Sequence, residues 1–260
     1  MQTNHGRLQT KALRYVCPQN PQRFHEENPL STLQEQLVPA LCHRGCVYQI
    51  TRNMAANAPS PELLSALTKT VQEDNMSNVH MQGLANELDL AMNDATYAQA
   101  IHEDYARLFI GPHIPAPLWE SVLRDEEHLL FGKDTLDVRH FYQNIGLVFP
   151  QNASEPDDHL ALELECMWVL NASLLGAIQN PEQDLAVIQE SCRLQQQFLA
   201  EHVLQWVPQT CKIFEEAAQT ALYRLFARLL LSFLPLDYQF VQELVTQTAK
   251  IPQRKEFVYA

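Results

Sequence analysis

No part of this sequence shows the sustained alternation of apolar and polar residues that a half-buried β-strand requires. Apolar residues recur instead at helical spacing: Tyr97, Ile101, Tyr105 and Leu108 follow one another at intervals of four, four and three. Only 7 of the 260 residues are glycine, and glycine-poor chains rich in leucine and glutamine are usually helical. The sequence therefore predicts an all-α fold.

Prolines and capping residues interrupt the helical pattern and divide it into about nine or ten helices of one bundle. Ser31 is expected to cap the first helix, and Pro39 to kink that helix or to mark its true start. Ser60 and Pro61 stand in the order of an N-cap and a first helical residue. Helices are predicted over residues 31–57, 61–71, 78–92, 95–109, 121–131, 135–147, 154–180, 182–206, 209–233 and 237–248.

The helices are expected to form a single domain over residues 31–250, since 46% of the chain is hydrophobic and can build a core. Residues 1–30 are polar and contain three prolines, which predicts a partly disordered extension, and residues 251–260 form a polar tail. The N-terminus lacks the apolar core of a signal peptide, and the segment 222–236 is too short and too charged to span a bilayer. A cytoplasmic protein without stable membrane insertion is expected, with its 6 cysteines reduced.

The charge of the chain is unevenly distributed. The formal net charge is −13, which argues against nucleic-acid binding and permits a basic partner. Residues 119–165 hold eleven acidic and three basic residues, a net of −8, so more than half of the charge lies in under a fifth of the chain. This segment is either a functional acidic surface or simply the charge that keeps the protein soluble.

Motifs of common enzymes are missing from the sequence. It contains no phosphate-binding G-x-x-x-x-G-K-[ST], no dinucleotide-binding G-x-G-x-x-G, no H-E-x-x-H and no G-x-S-x-G. The sequence therefore predicts a protein that is not an enzyme, with no catalytic residue and no cofactor.

One polar cluster has a composition that could carry chemistry. Asp157, Asp158, His159 and Glu163 lie near the predicted start of the central helix, and Glu155, His159 and Glu163 would share one helix face. Three oxygens and an imidazole could bind a divalent metal. The alternatives are that the acids cap the helix start, which its dipole favours, or that they contact a peptide.

Trp119 follows a proline-rich loop that begins at Gly111 and Pro112 and includes Pro117. A tryptophan in such a loop either packs on the core or anchors an apolar ligand. Tyr105 and Phe109 precede the loop in helical phase, which favours positions in the core.

Three blocks of the sequence resemble the TorD/DmsD family, cytoplasmic chaperones that mature molybdenum-containing redox enzymes. The first block is Tyr105-x-x-Leu-Phe109-x-Gly111-Pro112 followed by Pro115-Ala-Pro117-x-Trp119-Glu-Ser121-Val. The second is Glu155-Pro-Asp-Asp-His159-Leu-x-x-Glu163-Leu-Glu165-x-Met167, and the third is Phe198-Leu-x-Glu-His202-x-x-x-Trp206-x-Pro208.

The resemblance implies a TorD-like helical chaperone that binds the precursor of a molybdoenzyme. Its ligand would be the twin-arginine leader, the unfinished apo-enzyme, or both, and binding would delay export until the cofactor is in place. Asp157, Asp158 and His159 match the family's functional motif, which implies that they contact the ligand. The peptide-binding residues predicted in this way are Tyr105, Phe109, Gly111, Pro112, Pro117, Trp119, Glu120, Ser121, Asp157, Asp158, His159 and Glu163.

Other functions stay open at this point. The acidic cluster could serve a nucleotide- or metal-binding helical protein, and the client could be an enzyme without an export leader. A homodimer formed by helix exchange is a further expectation, because long helices joined by short hinges can swap between protomers.

Overall fold

The computed structural model describes residues 29–74, 79–110, 113–126, 129–149, 155–180 and 184–251. Within these ranges it contains ten α-helices, two π-helical turns and no β-strand, so the all-α prediction is confirmed. The helices are α1 (Pro29–Ala56), α2 (Pro61–Glu73), α3 (Val79–Asn93), α4 (Ala95–Tyr105), α5 (Glu120–Arg124), α6 (Lys133–Asn144), α7 (Leu160–Gln179), α8 (Leu185–Phe198), α9 (Leu204–Ala217) and α10 (Ala221–Ala249). The π-helical turns are Ala106–Ile110, after α4, and Leu199–Val203, between α8 and α9.

Helix α7 lies at the centre of the bundle. It is apolar on most sides, and α1 packs along it on one flank while α8 packs on another. Helix α10 packs against α9, α8 and α3. By length and hydropathy alone α7 could cross a membrane, but 61% of its most apolar window is buried inside the protein, as in a core helix.

Local capping explains several helix starts. Ser60 accepts a hydrogen bond from the backbone N–H of Leu63 and Pro61 follows it, which confirms both predicted roles. Asp94 and Asp184 cap α4 and α8 in the same way, each through one carboxylate oxygen. These caps pair the first backbone N–H groups, which no helical carbonyl can reach.

Several predicted helix boundaries are wrong. Helix α1 begins at Pro29 rather than at Ser31 and runs without a break through Pro39, and α5 ends at Arg124 rather than near Phe131. Breaks were expected near Pro208 and Pro235, yet both prolines lie inside helices. The burial of apolar surface by these helices outweighs the cost of one interior proline, about 3 kcal/mol for the lost hydrogen bond and the clash of its ring together.

The most consequential correction concerns α7. It begins at Leu160 rather than at Ser154, so Glu155, Pro156 and both aspartates precede the helix. The acids were expected to occupy the first helical turn, whereas the segment Glu155–His159 is a turn with extended backbone at His159.

A buried ion pair ties α1 to α10. The guanidinium of Arg44 binds both carboxylate oxygens of Asp237 and also donates to Asn171 Oδ1 on α7 at 2.7 Å. The Tyr48 hydroxyl donates to Asp237 Oδ2 at 2.6 Å, and Asn171 Nδ2 donates to the Leu41 carbonyl at 2.8 Å. We call Arg44, Tyr48, Asn171 and Asp237 the helix-locking cluster.

Candidate functional site

The three sequence blocks meet at one place in the fold. Trp119 and His159 form an isolated antiparallel bridge, in which Leu160 N–H donates to the Leu118 carbonyl and Glu120 N–H to the Asp158 carbonyl, at 2.8 and 3.0 Å. The π-helical turn before α9 brings the third block to the same place. We call the residues that meet here the motif junction: Trp119, Glu120, Ser121, Asp157, Asp158, His159, Glu163, His202 and Trp206.

Asp158 supplies the cap that α5 lacks in its own sequence. Trp119 occupies the N-cap position of α5 and makes no side-chain capping bond. The buried carboxylate of Asp158 accepts instead from the backbone N–H of Ser121 at 2.8 Å. A residue 37 positions later in the chain thus fixes where α5 begins.

His159 caps α7 through its ring. Its Nδ1 accepts from the backbone N–H of Ala161 at 3.1 Å, so this nitrogen carries no proton and the ring is neutral. Burial lowers the pKa of His159 to about 4, and the charge of Asp158 opposes that shift only in part. The ring also meets Trp119 edge to face, with centroids 5.5 Å apart.

Glu120 connects the first block to the third. Its buried carboxylate lies 2.9 Å from Nδ1 of His202, on the π-helical turn, and also pairs with Arg124 one turn later in α5. Arg124 in turn reaches Asp134 on α6 at 3.0 Å. Because a carboxylate only accepts hydrogen bonds, His202 presents a protonated Nδ1 to it.

Glu163 connects the second block to the third. The indole N–H of Trp206 donates to Glu163 Oε2 at 2.9 Å, and both side chains are buried. Burial, followed by the charge of Glu120, raises the pKa of Glu163 well above its usual range. Glu163 therefore holds its proton at higher pH than an exposed glutamate does.

Five buried side-chain atoms in and beside the junction have no hydrogen-bond partner among the described residues. They are Trp119 Nε1, Ser121 Oγ, Asp158 Oδ1, Glu163 Oε1 and, on α6, Thr135 Oγ1. Buried polar atoms are normally paired with protein or with ordered water. The junction therefore offers hydrogen-bonding capacity that the described chain does not use.

The aromatic residues of the first block belong to the core, as their helical phase predicts. The rings of Tyr105 and Phe109 stack at 5.0 Å, and Phe109 also contacts Phe214 on α9. Burial raises the pKa of Tyr105 to about 12. Pro117 is half-buried and its carbonyl accepts from Thr210, while Gly111 and Pro112 lie outside the described residues.

Asp157 differs from the other acids of its motif because it is only partly buried. Its carboxylate pairs with Arg139 on α6 at 2.6 Å, and its carbonyl accepts from the Tyr142 hydroxyl. Glu155, two residues earlier, is exposed. These two carboxylates are the acids of the segment Glu155–His159 that solvent or a ligand can reach.

The hypothesis of a metal site required α7 to begin near Ser154, ahead of Glu155. Because α7 begins at Leu160, Glu155, His159 and Glu163 do not share a helix face. His159 and Asp158 are occupied in capping, and among the described residues no group of three or more His, Cys, Asp or Glu could hold a metal ion. The geometry therefore does not provide the ligand set that the spacing indicated.

Arg124, His202 and Trp206 were not among the site residues predicted from the sequence. The last two stand four residues apart, which places them close together on one helical face, and a buried histidine and tryptophan need hydrogen-bond partners. That spacing was a usable signal for His202 and Trp206. Nothing in the sequence indicated that Arg124 would reach both Glu120 and Asp134.

A family model named nitrate reductase delta subunit matches residues 73–212, which contain the whole junction. The chain belongs to this family, the TorD family. It is 25% identical over 206 residues to the chaperone protein TorD of Vibrio cholerae serotype O1, covering 72% of this chain and 91% of that protein. It is 31% identical over 133 residues to the Tat proofreading chaperone DmsD of Salmonella typhi, covering 50% of this chain and 57% of that one.

Among solved structures, the chain is similar to a protein from Archaeoglobus fulgidus assigned as a redox enzyme maturation protein. The two share 20% identity with a TM-score of 0.45, over 83% of this chain and 99% of the other.

Proposed function

We propose that this protein is a cytoplasmic chaperone that binds the precursor of a molybdenum-cofactor oxidoreductase and delays its export until the cofactor is inserted. Membership of the TorD family, with relatives that are chaperones by name, supports the proposal. The observation that carries it is the meeting of all three family blocks in one junction with unused hydrogen-bonding capacity.

The bound segment is the twin-arginine leader of the precursor, which joins basic residues to an apolar stretch. Glu155 and Asp157 meet the basic residues through pairs that salt weakens. Glu120, Asp158, His159 and Glu163 act indirectly: their buried side chains hold the shape of the surface on which the leader lies. A peptide reaches those four carboxylate and imidazole groups only if the junction opens.

Capture of the bound precursor tests this proposal. The tagged protein is isolated from its native host grown anaerobically, and bound proteins are identified by mass spectrometry. We expect one molybdoenzyme precursor that retains its leader. Recovery of no precursor, or of one without its leader, contradicts the proposal.

The exposed pair Glu190 and Glu243 provides the matched control for a variant of Glu155 and Asp157. Glu155→Ala/Asp157→Ala removes two charges at the junction, and Glu190→Ala/Glu243→Ala removes two exposed charges on α8 and α10. The first variant should capture about tenfold less precursor, and the second as much as the unaltered protein. Equal capture by both variants would assign no role to the acids of the second block.

A further inference from the structure

An exposed apolar patch follows α5. Leu129, Leu130 and Phe131 are 52%, 46% and 61% exposed, and Leu136 in the first turn of α6 is 47% exposed. Apolar patches on the surface of a folded protein commonly mark a surface that binds a ligand, a membrane or another protein. We call these four residues the apolar knuckle.

Phe131 carries a second sign of function. Its backbone φ is +64°, a left-handed conformation that residues with a Cβ rarely adopt and that glycine adopts freely. A phenylalanine here strains the backbone, and its exposed ring gains little burial in return. Strain of this kind is concentrated at functional sites, so it supports a binding role for a residue that the core does not need.

The knuckle lies beside the motif junction. A side-chain carbon placed on Gly132 would lie 3.6 Å from Ser121 Cβ and 3.6 Å from the Asp125 carboxylate. The chain that follows Phe131 therefore rests on the first turn of α5, next to the residue that Asp158 caps.

An open cleft of about 320 Å³ lies along α6 next to the knuckle. Three carboxylates line it, those of Asp134 and Asp137 on α6 and of Glu201 on the π-helical turn, together with the basic residues Arg124 and Lys133. Arg124 is already paired with Glu120 and Asp134. The ring of Phe141 and the imidazole of His202 also line the cleft, so the cleft borders the histidine that contacts Glu120.

We propose that the apolar knuckle docks the apolar segment of the bound peptide, and that the carboxylates of the adjacent cleft extend the acidic surface that Glu155 and Asp157 present to the preceding basic residues. The inference rests on the proposed function, because a twin-arginine leader has this order of basic and apolar residues. It assigns the apolar contact to Leu129, Leu130, Phe131 and Leu136 rather than to Trp119, whose ring packs on His159.

Charge selects this occupant over two others. Glu126, Lys133, Asp134 and Asp137 lie next to the knuckle in the chain, a net charge of −2 in which Lys133 pairs with Asp137 at 3.9 Å, and the whole chain has a net charge of −13. An anionic bilayer would be repelled by these acids, and so would a second copy presenting the same surface. A peptide with basic residues next to an apolar stretch satisfies both the charge and the exposed apolar area.

Two synthetic fluorescent peptides test the proposal with the full-length protein. One carries two consecutive arginines followed by an apolar segment of leucine and alanine, and the other has serine in place of each leucine. Binding is followed by fluorescence anisotropy for the unaltered protein, Leu129→Ser/Leu130→Ser, Phe131→Gly, and the control Val187→Ser/Leu236→Ser, which changes two exposed apolar residues on α8 and α10.

We expect both knuckle variants to bind the apolar peptide about tenfold more weakly and the serine peptide as before. The control variant should bind both peptides like the unaltered protein. Phe131→Gly should also keep or raise the thermal midpoint, because glycine relieves the strain at this φ. A rise in stability together with a loss of affinity would not follow from damage to the fold.

Other outcomes overturn the inference in distinguishable ways. If the unaltered protein binds neither peptide nor a captured precursor, the proposed function fails and the inference fails with it. If it binds the apolar peptide and the knuckle variants bind within about twofold of it, only the inference fails. If the protein sediments with phosphatidylglycerol vesicles and the knuckle variants do not, the patch is assigned to a membrane instead. If light scattering shows a dimer that the knuckle variants abolish, the patch is assigned to a second copy of this chain.

Discussion

Two buried polar clusters of this bundle differ in how fully they use their hydrogen bonds. In the helix-locking cluster, both oxygens of Asp237 bind the Arg44 guanidinium, and the Tyr48 hydroxyl and both amide atoms of Asn171 are also paired. In the motif junction, Ser121 Oγ, Asp158 Oδ1 and Trp119 Nε1 have no partner among the described residues. Both clusters are buried and each joins three segments of the chain.

Under the proposed function, this difference separates a cluster that serves the fold from one that also serves binding. A fully paired cluster fixes the relative positions of helices and leaves nothing for a ligand. An unpaired buried polar atom costs about 1–3 kcal/mol, so several in one place weigh against stability alone as the reason for the arrangement. Buried polar atoms without a hydrogen-bond partner are among the local departures expected at functional sites.

The largest effect is expected from breaking the helix-locking cluster. Arg44→Met leaves Asp237 buried without its cation and should lower the free energy of unfolding by about 3–5 kcal/mol. Peptide affinity of the folded protein should not change, because Arg44 lies outside the junction. Urea denaturation and fluorescence anisotropy measure the two quantities.

The double variant Arg44→Met/Asp237→Leu is the control for that prediction. Removing both charges should restore most of the lost free energy of unfolding, since no unpaired ion stays buried. If affinity falls together with stability in the single variant, the two clusters are coupled and the division between them is wrong.

A pH dependence should distinguish the junction from the helix-locking cluster. His159 has a folded-state pKa of about 4, below its ordinary value of 6.5. As the pH falls from 6.5 towards 4, the unfolded chain binds a proton that the folded protein does not. The free energy of unfolding should therefore fall by up to about 3 kcal/mol across this window, and this contribution is constant above it.

Glu163 changes stability in the opposite direction and must be removed from the measurement. Its raised folded-state pKa means that the unfolded chain releases a proton above pH 4.5 while the folded protein keeps it, so stability falls as pH rises. The experiment is therefore done in a Glu163→Gln background, where the amide oxygen can still accept from Trp206. Adding His159→Asn, which can still cap α7, should flatten the curve between pH 4 and 6.5; an unchanged slope there would assign the acid sensitivity to another group.

Local signals predicted most of the fold. Ser60 and Pro61 placed the start of α2 correctly, and the apolar period of residues 95–109 located α4. The predictions failed where distant residues decide the local structure. Pro208 and Pro235 were expected to end helices, and only the packing of α9 and α10 against the core keeps them inside.

Most residues that meet in the junction were named from the sequence, but their arrangement was not, and their role in peptide binding stays a prediction. The resemblance brought together the residues around Trp119 and His159, and the structure joins them by a backbone bridge. The predicted helix start at Ser154 placed Asp158 in the first turn of α7, where its carboxylate would cap the helix, bind a metal or contact a peptide. The actual contact, to the backbone of Ser121, depends on a chain reversal that no local pattern encodes.

The smallest effect compares two helix caps, one inside the junction and one outside it. Asp158→Ala and Asp184→Ala each remove a carboxylate that accepts from a helix N-terminus, and each should lower the free energy of unfolding by about 1–2 kcal/mol. Asp158→Asn should cost under about 1 kcal/mol, because the amide oxygen can still accept from Ser121. Only changes at Asp158 should also weaken leader binding, since α5 carries the surface next to the knuckle and α8 does not.

Urea midpoints and fluorescence anisotropy, measured on the same samples, separate loss of stability from loss of binding. If Asp184→Ala weakens binding as much as Asp158→Ala does, the loss reflects general destabilisation, and the junction has no specific role in recognition.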